Sequence, residues 1–160
     1  MEYATKQFVD ALIEAERGLL SAEHVLKVIM PVVKDSKLLL RSLETANKSA
    51  VNIISIALKY EHINGRIELS HDNKVNQEIF FSRCIGKYGL SPEEQGDIKK
   101  LLILGKKHKE SGFEFSRQNK FIIMADDLSV SEISRIDLEK FMRTLRKLLL
   151  NVRANFSRFG

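Results

Sequence analysis

The stretch FVDALIEAERGLLSAEHVLKVI, residues 8–29, sets Phe8, Leu12, Ala15, Leu19, Ala22, Leu26 and Ile29 in alternating steps of four and three. The same step returns past Pro31 in LLRSLETANKSAVNIISIALKY, residues 39–60, as Leu39, Leu43, Ala46, Ala50, Ile53, Ala57 and Tyr60. At 3.6 residues per turn these positions draw one apolar stripe along each of two long helices. The first is expected over residues 2–30, about 40 Å long at 1.5 Å per residue. Pro31 has no N–H and disfavours helix at Met30, so the helix ends or kinks there. Gly18 inside it points to a local bend or a close helix neighbour. Asp35 or Ser36 can cap the second helix, and Asn64-Gly65 supplies the left-handed conformation that ends it. A short connection folds the two into an antiparallel hairpin.

Downstream the pattern is more broken. Val75, Ile79, Phe80, Cys84 and Ile85 mark a weaker third helix, residues 73–87, stopped by Gly89. Ser91-Pro92-Glu93-Glu94 is the clearest helix start in the chain. A serine accepts from exposed amides, a proline sits where no donor is needed, and two acids meet the positive helix end. That fourth helix should reach Lys109. Residues 113–134 lose the helical period; Phe121-Ile122-Ile123-Met124 and the alternating Leu128, Val130 suggest a small hairpin or irregular insert around Asp126-Asp127. A fifth helix follows from Ile136 or Asp137 to Phe156. Leu138, Phe141, Met142, Leu145, Leu148, Leu149, Val152 and Phe156 share one face, and Lys140, Arg143, Arg146, Lys147, Arg153 and Arg158 the other. The expectation is an all-α, up-and-down bundle of about five helices with a small insert, forming one domain over residues 1–160. At this length roughly 70% of the unfolded surface can be buried.

Charge is uneven. The net value is +5, but residues 1–98 carry 12 basic and 14 acidic side chains, whereas residues 99–120 and 135–160 each carry seven basic and two acidic. The basic segments on helices four and five, including Lys106, Lys107, Lys140, Arg143 and Lys147, are candidates for contact with a nucleic acid or another polyanion. The opposing reading is a solvated helix face. One cysteine, Cys84, permits no internal disulfide and reads as a small buried hydrophobe. Acids among the first residues do not resemble a secretory signal, and no apolar run approaches the roughly 20 residues of a membrane span. A cytoplasmic protein without a membrane contact is expected.

Few residues suggest chemistry. Glu61, His62, His71 and Asp72 lack the helical spacing of metal ligands, and Asp126-Asp127 reads as a turn, so no metal site is expected. Gly86-Lys87-Tyr88-Gly89 lacks the upstream glycine and strand of a phosphate loop, and no cofactor is expected. Asn47 on an apolar seam suits a register-fixing role. The alanines of the second helix suit close packing and, with the long amphipathic helices, a homodimer.

Arg66-Ile67-Glu68-Leu69-Ser70-His71 places four residues between an arginine and a histidine, and Arg17 and His24 are separated by six. With the bundle pattern, this resembles the HEPN family of small helical proteins. The resemblance implies a bundle that often dimerises and, in active members, cleaves RNA without a metal. Arg66 would then steady the phosphate and His71 act as general acid or base, a sensible division of labour for these side chains. It also implies a nucleotidyltransferase as a partner. Ile67 stands where the family usually has a polar residue, and the pair follows the second helix rather than preceding the last. The reading of the residues themselves is a binding or assembly protein with no evident catalytic set.

Overall fold

In the computed structural model, which describes residues 2–157, the two stripes lie face to face. Helix α1, Glu2–His24, continues through a π-helical turn, Val25–Ile29, into α2, Met30–Val33. The helix therefore passes Pro31 instead of ending at Met30. Pro31 occupies the first turn of α2, where a missing N–H is harmless, and the wider π turn just before it reorganises the carbonyls the ring would strike. The rod stops at Lys34, which takes the left-handed conformation at φ 54°. Asp35 Oδ1 accepts from the Lys37 amide at 3.0 Å and leads into α3, Lys37–Ile63.

Phe8 meets Tyr60 edge-on, and Ser49 Oγ reaches the Ala15 carbonyl at 3.5 Å, so α1 and α3 run antiparallel. A Cβ on Gly18 would come within 2.9 Å of Ser49 Oγ; the glycine serves the close approach, not a bend. Ala46, Ala50 and Ala57 are fully buried inside this same chain. The seam that suited a second copy is occupied by the chain's own helices.

Asp72 caps α4, Asn73–Ile79, by accepting from Lys74 N at 2.9 Å. The expected third helix then unwinds through a π turn, Phe80–Cys84, and a 3-10 turn, Ile85–Tyr88, to Gly89 at φ 70°. Ser91 and Glu94 form a reciprocal capping box that starts α5, Pro92–Glu110.

The insert is a three-stranded antiparallel meander: β1, Phe113–Arg117; β2, Lys120–Met124; β3, Val130–Ser134. A hairpin was expected around Asp126-Asp127, and a further strand, β1, lies ahead of it. Gln118 and Asn119 join β1 to β2 with φ of 50° and 65°, the positive values a two-residue hairpin loop requires. Ser134 and Asp137 cap each other's amides and open α6, Arg135–Ser157.

α6 returns antiparallel to α1, bringing Phe156 to Phe8 and Arg146 to Glu23. It is antiparallel to α5 as well, with Lys147 at Glu94 and Asn151 at Tyr88. One core cluster runs from Phe8 to Phe156 and includes Phe121, Ile123 and Ile133 of the sheet. With the α1–α2 rod taken as one, the described residues form a helix-dominated fold of five helices and a small sheet. Among them no helix is long and apolar enough to cross a membrane.

Candidate functional site

Arg66 lies just past the end of α3, in the connection to α4. Its Nε donates to Glu61 Oε2 at 2.6 Å, and its guanidinium sits 5.7 Å from the Tyr60 ring centre. Lys87, from the 3-10 turn, forms an ion pair with the other carboxylate oxygen. The Glu61 side chain is only 3% exposed, while both cations remain more than a third exposed. Burial pushes the carboxyl up, but the hydrogen bonds from Arg66 and Lys87 outweigh it and hold Glu61 below the usual range. The end of α3, the connection just past it and the 3-10 turn are thus tied at one buried charge. His71 is exposed in the same connection, near the Asp72 cap. Of the second Arg–His pair, Arg17 and His24 are both exposed on α1. Cys84 and Tyr88 lie close to Glu61 in the buried interior. Burial first, and the Glu61 charge second, push the thiol and the phenol above their ordinary values, so both are neutral and unreactive at pH 7.

Four cations of α6 reach acids on neighbouring helices while staying partly exposed. Arg146 reaches Glu23 at 2.8 Å and Arg153 reaches Glu16 at 3.6 Å on the α1 side. On the α5 side Lys140 contacts Glu93 and Asp97, and Lys147 contacts Glu94 at 2.8 Å. Such pairs add little to stability because both partners are partly wet. Their larger effect is on the field, since acids of α1 and α5 offset the basic stripe. Arg143 is exposed on the same helix, and Arg158 lies outside the described residues. On α5, Lys106 is exposed and Lys107 donates to Ser131 at 3.0 Å, joining the helix to β3.

Between α3 and α5 runs a groove of about 730 Å³ lined by Glu44, Asn47, Lys48, Gly105 and His108 among others. His108 Nδ1 lies 2.8 Å from Glu114 Oε1 on β1, and Nε2 lies 2.7 Å from Glu44 Oε1 on α3. Carboxylates only accept, so both ring nitrogens must donate and the ring is an imidazolium. Burial would lower its pKa, but the bonds to Glu44 and Glu114 prevail and raise it. The sign follows. A folded pKa above the unfolded value of about 6.5 gives stability that is present below pH 6.5 and lost as pH rises through the folded value. His108→Gln should therefore cost about 1–2 kcal/mol at pH 6 and progressively less at alkaline pH. Urea unfolding of both proteins from pH 6 to 9 checks this; a difference that stays constant would mean the histidine is held neutral.

The sheet supplies the last feature. Residues two apart in a strand share a face. One face, with Phe121, Ile123 and Ile133, belongs to the core. The pairing register places Phe113, Phe115 and Arg117 on the other, beside Met124, Ile122 and Lys120 and then Val130, Glu132 and Ser134. Phe113 is 58% exposed and Val130 54%, with Leu128 in the adjoining turn at 75%. Neither strand β1 nor its outward aromatic face was among the residues expected to carry function; the alternating Phe-Glu-Phe-Ser-Arg was the signal for both. Among the described residues no three His, Cys, Asp or Glu side chains come together as a metal site. No protein-family model, no curated protein and no solved structure matches this chain.

Proposed function

We propose that this chain is a binding or assembly module, an up-and-down helical bundle that holds a small sheet out to a partner, and that it is not a catalyst. The observation that carries the reading is the outward sheet face. Phe113 and Val130 stand in water on a face whose opposite side is anchored in the core. Exposed aromatic and branched side chains on a rigid support are the usual material of an interaction surface. The paired cations of α6 support the same view, because they shift the unbalanced positive charge to α5 and the β1–β2 hairpin. The HEPN-like alternative needs Arg66 and His71 in one cleft, across a dimer or beside a nucleotidyltransferase. Against it stands the engagement of Arg66 with Glu61.

Incubation of the protein with a mixed RNA pool, with and without chelator, separates the two readings. We expect no cleavage in either case, and expect His71→Ala to match the parent in every binding and association assay. Metal-independent cleavage that disappears in His71→Ala would overturn the binding reading.

A further inference from the structure

We infer that the outward face of the sheet binds single-stranded nucleic acid, bases against Phe113 and Phe115 and phosphates against Arg117 and Lys120; this rests on the binding-module reading. The face has two zones. Phe113, Phe115, Met124 and Val130 form an aromatic and apolar end, and Arg117 pairs across the hairpin with Lys120 to form a cationic end. Ile122 is buried on this face although it stands outside the core cluster, so it is the floor on which the two rings rest. The rings lie 5.5 Å apart and are inclined at 54°, so they are not stacked on each other, and Phe113 is 58% exposed while Phe115 is half-buried beside it.

An aromatic platform next to cations fits a ligand with flat apolar surfaces and negative charges at short intervals. Nucleic acid supplies both: stacking is tolerant of sequence, and phosphates are drawn to arginine and lysine. Spacing selects the single strand. Same-face positions two apart in a strand stand about 6.7 Å apart, whereas duplex bases follow at about 3.4 Å and present no free faces. Charge complementarity points the same way only at one end of the face, where Arg117 and Lys120 stand together with Glu132 as the one acid that the pairing register sets on that face. The nearest competing anion, Glu132, meets Lys120 at only 3.6 Å with both groups more than half exposed, so a phosphate can displace it. A protein partner would leave the Arg117–Lys120 end unmatched unless it brought acids of its own.

The test is fluorescence anisotropy of the full chain with labelled oligothymidine and oligouridine, against a duplex of equal length and heparin as competitors. We expect single strands to bind more tightly than duplex, with affinity falling steeply as salt rises. F113A/F115A should weaken binding by about thirtyfold or more at fixed salt and leave the salt slope unchanged. R117A/K120A should instead lower the slope by about 1.4, the value for two phosphate contacts on a single strand. Phe113→Ala alone, at the more exposed ring, keeps the aromatic arm decisive if the double variant does not fold. The proposal fails if single strands do not bind, or if binding is equal for duplex and indifferent to Phe113. Sedimentation of the same variants separates this failure from a wider one. Self-association lost in Phe113→Ala, without oligonucleotide binding, would reject nucleic acid but keep a binding face. Neither property would reject both.

Discussion

R66M/K87M is expected to lose about 3–5 kcal/mol of stability at pH 7, because it strips both cations from a carboxylate that stays buried. Methionine keeps most of the packed length of each side chain, so the effect reports the charge. The pH dependence should also change sign. In the parent, Glu61 titrates below its unfolded value. Its contribution is therefore complete above the ordinary carboxylate pKa of about 4.3 and is lost as pH falls through the folded value. Without partners, burial alone acts on Glu61 and lifts its folded pKa, so the double variant gains stability as pH falls from 7 towards 4.3. Adding Glu61→Met should restore most of the loss, since an apolar group of similar size carries no desolvation cost. Denaturant midpoints across that pH range provide the check. A double variant within about 1 kcal/mol of the parent, with the same slope, would mean that the carboxylate is solvated.

Gly105→Ala carries the second large effect. A Cβ there would collide with Asn47 Cγ and Oδ1 across the α3–α5 contact. Asn47 is buried and its Oδ1 has no hydrogen-bond partner, so relieving the collision means turning its amide out of its packed position towards the groove. Overpacking of this kind costs about 1–3 kcal/mol, and the helical position at the contact favours the upper end. Asn47→Ala alone should change stability by less than about 1 kcal/mol, since it removes an unsatisfied polar atom as well as some packing. N47A/G105A should then recover most of the loss, giving a coupling of about 2 kcal/mol between the two sites. Additive single effects in a thermal or urea series would show that the collision is relieved elsewhere.

The helical seams were legible because each is a repeat written along one segment. Every seam residue from Leu39 to Tyr60, and from Leu138 to Phe156, is buried as its spacing implies. The Ser91 capping box was equally plain, and Gly18 announced a close neighbour. Asn47 was expected to fix register or satisfy a neighbouring backbone; it packs against Gly105, a glycine the sequence could not single out, and its Oδ1 has no hydrogen-bond partner. The β1 strand was overlooked because five residues give little periodicity, and its loop, Gln118-Asn119, lacks the glycine that usually signals a tight hairpin. Pro31 was expected to end or kink the helix because the rule for proline assumes a regular α-helix. The π turn ahead of it sidesteps that rule.

By itself the sequence determined which residues turn inward and where the α3, α5 and α6 helices begin, since both follow from local spacing and capping chemistry. Only the tertiary structure decided what the charged residues do. Glu61, near the end of α3, gave no sign of its ion pairs until Lys87 came in from the 3-10 turn to join the nearby Arg66, and the basic stripe of α6 looked open until α1 and α5 brought acids to both of its edges. A charge interacts through distance in space, and no spacing along the chain encodes which distant helix will lie beside it.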